Sequence, residues 1–284
     1  MEPFTTPILF LVFNRPLKTL QVLECIRMAR PRKLYVAADG PRLNHPLDKA
    51  LCDETRNIIS KHVDWPCECI QLYREENLGC KIAVSSAITW FFEHESEGII
   101  LEDDCLPDPT FFPFCAELLE KYRNHQSIMM ISGTNFQPTN GQTESYYFSR
   151  YLHIWGWATW RRAWNHYDLD MKAWPDFRDR GTLNSFLPRT VARRRKHQFE
   201  RTFYGNTSTW DTQWLFAFWL AEGISIQSTK NLVTNIDLGG THTKVYDPCI
   251  MRPSHAMSFP LQHPKSLGVD QQADAYTHRH IALR

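Results

Sequence analysis

The sequence contains no Cys-x-x-Cys pair and none of the spacings by which cysteine and histidine build a zinc centre. Its eight cysteines, at positions 25, 52, 67, 69, 80, 105, 115 and 249, lie mostly in apolar segments and read as reduced core residues. Long hydrophobic runs are missing too. The first apolar stretch, residues 8–13, has no basic region before it and falls far short of the roughly 20 residues a membrane span requires. A soluble, cytoplasmic protein is expected, one that touches a membrane only peripherally, at the inner surface. Charge of one sign is absent: 32 Lys and Arg against 31 Asp and Glu leave a net charge of +1. That balance gives no argument for nucleic acid and confines basic function to local runs such as Arg193-Arg194-Arg195-Lys196. The 189–201 region fits an anionic-lipid contact or a solvated helix face. No internal repeat occurs, and no Gly-rich loop carrying Arg and Lys opens the chain.

What is present is a regular alternation. Apolar runs at 8–13, 33–38, 69–73, 98–101 and 127–132 predict strands, and the segments at 16–30, 47–62, 78–94 and 110–123 between them predict helices. Repeated βα units of this kind predict an α/β fold with a mainly parallel, Rossmann-type sheet flanked by helices. Residues 146–148 predict an antiparallel addition, 174–204 a largely helical charged stretch, 211–221 a short apolar helix, and 224–226 and 232–234 short strands. Little periodicity follows position 245. At 284 residues the chain can hold one large unit, with a boundary expected near 133 between a nucleotide-binding half (1–132) and an acceptor-side half (133–284). Ten Trp and seventeen Phe suggest an aromatic-lined site as well as a core.

The most telling line is Ile99-Ile100-Leu101-Glu102-Asp103-Asp104. A buried parallel strand that ends in three acids delivers carboxylates to the carboxyl edge of the sheet, where α/β folds keep their ligands. Such oxygen donors suit Mn²⁺ or Mg²⁺ bound with a diphosphate, with Asp104 as direct ligand; a solvated acidic loop is the bland reading. Asn14-Arg15-Pro16, Asp39-Gly40, and Arg74 with Asn77 follow three other strands and fall on the same edge, although each alone is also a turn or helix-start signal. In Trp210-Asp211-Thr212, the acid is a candidate general base and equally a helix N-cap. His242 in Thr241-His242-Thr243 follows a Gly pair and is a candidate partner of the metal or diphosphate. Trp155, Trp157, Trp160 and Trp210 offer faces for sugar rings or, equally, core packing.

These residues resemble the GT-A-fold nucleotide-sugar glycosyltransferases, especially bacterial relatives of the Golgi N-acetylglucosaminyltransferase that starts complex N-glycans. The landmarks Phe13-Asn14-Arg15, Ala37-Ala38-Asp39-Gly40, Lys81-Ile82-Ala83, Ile100 through Asp104, Asp108 through Phe112, Trp155-Gly156-Trp157, Trp210-Asp211 and Gly240-Thr241-His242 occur in the family's order. The resemblance implies that Arg15 and Asp39 bind the nucleobase of a UDP-sugar and that Asp104 ligates Mn²⁺ on the diphosphate. It further implies that Glu102 and Asp103 lie near the ribose and donor sugar and that His242 faces the diphosphate or metal. Asp211 becomes the base of an inverting transfer to a glycan or lipid-linked saccharide, as in building a bacterial surface glycan; Thr212 and Gln213 stand where the family often has a second acid. A sugar-phosphate nucleotidylyltransferase and an inactive glycan- or nucleotide-sugar-binding protein are the alternatives.

Overall fold

The computed structural model describes residues 4–138, 143–237 and 252–282. Along the chain run β1 (Ile8–Val12), α1 (Pro16–Ala29), β2 (Lys33–Ala38), α2 (Asp48–His62), β3 (Glu68–Tyr73), α3 (Gly79–His94), β4 (Glu97–Glu102), β5 (Cys105–Pro107), α4 (Phe111–Tyr122) and β6 (Ile128–Ser132). There follow β7 (Tyr146–Ser149), β8 (Trp157–Trp160), α5 (Arg161–Trp164), α6 (Trp174–Asp179), α7 (Leu183–Phe186), α8 (Arg189–Phe203), α9 (Asp211–Leu220), β9 (Ile224–Ser228), β10 (Val233–Asn235) and α10 (Gln271–His280).

Eight strands form one sheet in the order β3-β2-β1-β4-β8-β6-β9-β7. The first four are mutually parallel, β8 is antiparallel to β4 and β6, β9 is parallel to β6, and β7 closes the edge antiparallel to β9. This is the expected mainly parallel α/β sheet with an antiparallel extension, and it runs without interruption across position 133 because β8 lies between β4 and β6. Strand residues alternate between the two faces, as the period of two requires. Ile8, Phe10 and Val12 pack with Val22, Leu23 and Ile26 of α1 and with Phe112 and Cys115 of α4. Leu9 and Leu11 point the other way and pack with Ile88 and Phe91 of α3 and with the α6, α8 and α9 side.

Three stretches differ from expectation. The aromatic run after β7 supplies β8, whose four residues are all buried and so carry no alternation to read. The charged stretch predicted as one helical region breaks into α6, α7 and α8, because Gly181 takes φ +67° and Pro188 interrupts the hydrogen-bond ladder before Arg189. The tail forms α10, held by polar rather than apolar means: the Asp270 carboxylate accepts from Gln272 N and Ala273 N, and Ser149 Oγ donates to buried Asp274 at 2.6 Å. The cysteine reading also needs correction. Cys52, Cys105 and Cys115 are buried, Cys25, Cys67 and Cys69 are half-buried, and Cys80 is exposed; all seven are free thiols, and Cys249 lies outside the described residues. No helix among the described residues is long and apolar enough to cross a membrane.

Candidate active site

Register explains why distant polar residues meet. Val12 is level with Ala38, Ala38 with Tyr73, and Leu11 with Glu102, so the residues following β1, β2, β3 and β4 emerge at one carboxyl edge. Arg15, Asp39, Arg74, Asp103 and Asp104 all stand there. A second connection reaches the same edge from the far end of the chain: β10 pairs antiparallel with β5, and Ile236 N donates to the Asp104 carbonyl at 2.8 Å, which delivers Asp237 beside the acids.

These acids surround a cation supplied by the protein. Arg15, at the non-helical cap of α1, donates from one terminal nitrogen to Asp103 Oδ1 at 3.0 Å and Asp104 Oδ2 at 2.9 Å, and from the other to Asp237 at 3.3 Å. Lys18, one helical turn on, pairs with the remaining oxygen of Asp237. The second Asp103 oxygen accepts the Phe13 amide at 3.1 Å. Burial opposes the charge on Arg15, but Asp103, Asp104 and Asp237 together outweigh it and hold the guanidinium charged above its ordinary range. Burial lifts the Asp103 carboxyl to about 6 against the pull of Arg15. Glu102 is raised well above the carboxylate range, first by burial and then by its acidic neighbours.

Sequence reasoning gave Arg15 and Asp39 to a nucleobase, and the geometry places both differently. Arg15 faces the acids. Asp39 uses its whole carboxylate internally: Oδ1 accepts from Gly40 N and Leu78 N at 3.0 Å each, and Oδ2 accepts from Asn77 Nδ2 at 3.0 Å and Gly79 N at 3.1 Å. Four donors fill the acceptor capacity of a carboxylate. Helix α3 has Leu78 at its N-cap and no acid in its first turn, so Asp39 caps it from across the sheet edge. Asn77 spends its amide N–H groups on Asp39 and the Gly40 carbonyl. Arg74 donates to Ser86 Oγ at 2.7 Å, and its pKa is lowered by burial.

The expected sugar-stacking faces also require correction. Trp157, Trp160 and Trp210 are only 1–2% exposed. Trp157 stacks on Trp210 with centroids 5.9 Å apart and leans on Trp214 at 6.0 Å, so these rings are core. Trp155 is half-buried against Phe136 and presents the remaining partial face.

Asp211 is the first residue of α9, where a carboxylate is favoured by the helix dipole, and accepts a hydrogen bond from Thr209 Oγ1. The cap position itself is taken by Trp210. Cys80, exposed in the first turn of α3, lies within electrostatic reach of Glu102, Asp211, Asp39 and Arg15. Asp211 also lies within electrostatic reach of Glu102, at the end of β4. His242 lies outside the described residues. Sequence reasoning missed Lys18, whose signal was its i+3 spacing from Arg15, and Asp237, which followed a short strand with no local motif.

Carboxylate oxygens are the right donors for a hard divalent cation. With Arg15 seated between Asp103 and Asp104, however, no three His, Cys, Asp or Glu among the described residues are gathered to hold a metal ion. His242, the other expected ligand, lies outside those residues.

No protein-family model matches the sequence, and no curated protein matches it. Among solved structures, the chain is similar to a mannosyltransferase from Pyrobaculum calidifontis in complex with GDP-Man and Mn²⁺, at 13% identity and a TM-score of 0.38, covering 54% of this chain and 44% of that one. It is also similar to a UTP-bound UGPase from Acinetobacter baumannii, at 8% identity and a TM-score of 0.40 over 82% and 88% of the two chains. Mouse xyloside xylosyltransferase 1 in its apo form shares 14% identity at a TM-score of 0.32, over 74% and 80%. The chain therefore spans less than half the length of the mannosyltransferase, and the reading of function rests on the site's own residues.

Proposed function

We propose that this chain is an inverting glycosyltransferase that moves a sugar from a nucleotide diphosphate donor, first among them a UDP-sugar, to a hydroxyl of a saccharide acceptor. One observation supports the reading: Arg15, Lys18 and the Glu102-Asp103-Asp104 acids meet at the carboxyl edge of a parallel sheet, with Asp211 within electrostatic reach of Glu102. In the transfer, the acceptor oxygen attacks the anomeric carbon as the carbon–oxygen bond to the diphosphate breaks. The acceptor proton passes to Asp211, and the electron pair leaves with the diphosphate. Arg15 and Lys18 are the cations nearest the acids, and Arg15, turned from them, is the one that can meet the charge of the departing diphosphate. Asp211, opposite the leaving group, serves as general base. The half-buried face of Trp155 is the remaining candidate for contact with a sugar ring.

The test is Asp211→Asn assayed with a panel of nucleotide sugars. Donor affinity by calorimetry should stay within about twofold, and transfer should fall roughly 10²–10⁴-fold, the range a general base supplies. A near-normal turnover rate removes Asp211 as base. Absence of binding by every nucleotide diphosphate sugar, with or without Mn²⁺, removes the transferase reading.

A further inference from the structure

Phe177 of α6 lines two recesses, and neither includes a residue of the carboxyl edge where the acids stand. The larger, about 750 Å³, is bounded by Ser127 and Ile224, where β6 and β9 begin. Both strands run parallel to β4, so this recess lies at the amino end of the sheet, opposite Asp103 and Asp104. Its charge is mixed, with Arg150 and Arg180 matched by Asp176 and Glu222. The smaller recess, about 200 Å³, has one sign only. Four cations line it, Arg178 of α6 and Arg189, Arg193 and Lys196 of α8, and among the described residues no carboxylate does.

Helical spacing creates this convergence. Positions 189, 193 and 196 are i, i+4 and i+7 and share one stripe of α8. Trp174 of α6 packs edge-on against Phe199 of α8 with ring centroids 5.2 Å apart, and Arg178 of the same short helix reaches the recess that this stripe lines. Two carboxylates stand nearby, outside the lining: Asp179 accepts from Arg178 Nε at 2.7 Å, and Glu200 lies 4.0 Å from Lys196. Arg189 and Arg193 have no ion pair among the described residues, so four cations against two carboxylates leave an excess of two positive charges. That excess runs against the preferences of the helix. Arg189 holds the first position of α8, where the dipole disfavours a cation and no acid shares the turn, and Arg193 repels it from one turn on. On an open helix face water would screen these charges, whereas here buried Trp174 and Phe177 wall the recess with apolar surface, beside which charges act more strongly.

We infer that this recess is a pocket for a phosphate monoester, a binding site separate from the acid-lined edge. Its volume is below the roughly 300–1,000 Å³ of small-molecule sites, so it takes one group of a ligand rather than the whole. A phosphate monoester carries a charge of about −1.5 to −2 at neutral pH and answers an excess of two, which a single carboxylate does not. The planar guanidinium groups match its oxygens through paired hydrogen bonds. The group can arrive on a soluble sugar phosphate or on a lipid headgroup, and the chemistry that recognises it is the same.

The experiment titrates the full chain with inorganic phosphate at low, constant ionic strength, by calorimetry and thermal shift, with acetate as the singly charged control and UDP as the probe of the opposite edge. Phosphate should bind saturably and more tightly than acetate, and should raise the melting midpoint. Arg193→Gln and Arg189→Gln should each weaken phosphate binding about tenfold, the loss of one charge-assisted contact. Both side chains are exposed, so in chloride these variants should melt at the native midpoint or above it. Arg194→Gln, equally exposed on α8 but outside the lining, should leave phosphate affinity unchanged. UDP affinity should stay within about twofold in all three, so the pocket and the transferase reading stand or fall separately. Glucose 6-phosphate and vesicles containing phosphatidic acid then identify the source: the ligand whose binding is lost in Arg193→Gln carries the group. The pocket is overturned by the absence of saturable phosphate binding, by native phosphate affinity in Arg193→Gln and Arg189→Gln, by an equal loss in Arg194→Gln, which would mean diffuse attraction, or by a parallel fall in UDP affinity.

Discussion

Replacing Asp39 tests whether a motif residue at a sheet edge serves a ligand or the fold. Its carboxylate accepts four hydrogen bonds, three from backbone amides of Gly40, Leu78 and Gly79 and one from Asn77. Loss of an N-cap costs about 0.5–2 kcal/mol, and hydrogen bonds to a charged acceptor contribute about 1.5–3 kcal/mol each when no substitute is found. Leu78 is exposed and Gly79 half-exposed, so water replaces part of what is lost. Asp39→Ala should therefore destabilise by about 2–3 kcal/mol. Asp39→Asn should approach that value, at least about 1.5 kcal/mol, because one of its two terminal atoms becomes a donor aimed at donors. Urea denaturation measures this as a lower midpoint at constant slope, and amide exchange should quicken at the first turn of α3. An Asp39→Asn protein within 0.5 kcal/mol of the native one would refute the capping argument and return the carboxylate to the nucleobase.

Gly40→Ala should be destabilising by about 2 kcal/mol or more, because an added Cβ would stand 2.4 Å from the Glu76 carbonyl carbon; thermal melting checks it, and a native midpoint refutes it. Asp48 accepts two hydrogen bonds from the Arg42 guanidinium and one from Asn14, and its pKa is held down to about 2 chiefly by Arg42. Since the folded value lies below the unfolded one, this stability is complete above pH ~4 and is lost as pH falls toward 2; about 1–2 kcal/mol of acid sensitivity should disappear in Arg42→Gln. Arg15→Gln leaves Asp103 and Asp104 without their guanidinium and should cost about 2–4 kcal/mol, a drop of several degrees in melting temperature, larger at low salt.

The fold was legible because β1, β2 and β4 are buried along most of their length and separated by helices, and such strands read as unbroken apolar runs. β8 was hidden by the same physics: with Trp157, Ala158, Thr159 and Trp160 all buried, no alternation marks it. The site was legible as a set of positions rather than as a set of partners. Sequence placed Arg15, Asp39, Asn77 and the acid triplet on one edge, and register puts them there. It could not show that Asp39 would be saturated by the amides of residues 78 and 79, since those donors have no identity in the side-chain code. Nor could it show Asp237, which reaches Asp104 only through the pairing of β10 with β5.

The three acids at the end of β4 were alike in sequence and are unlike in place. Glu102 ends the strand half-buried, Asp103 is buried and pinned by the Phe13 amide and Arg15, and Asp104 keeps the greater exposure of the two aspartates, 14% against 6%. Around them, two cations, Arg15 and Lys18, face three carboxylates, those of Asp103, Asp104 and Asp237. The lattice is therefore short of positive charge before any donor arrives. A diphosphate that enters it meets net repulsion unless Arg15 turns from the acids toward the phosphate or the nucleotide carries its own cation. The first route predicts UDP affinity that falls in Arg15→Gln with or without Mn²⁺. The second predicts affinity that depends on Mn²⁺ and survives the loss of Arg15, so one titration of each protein separates them.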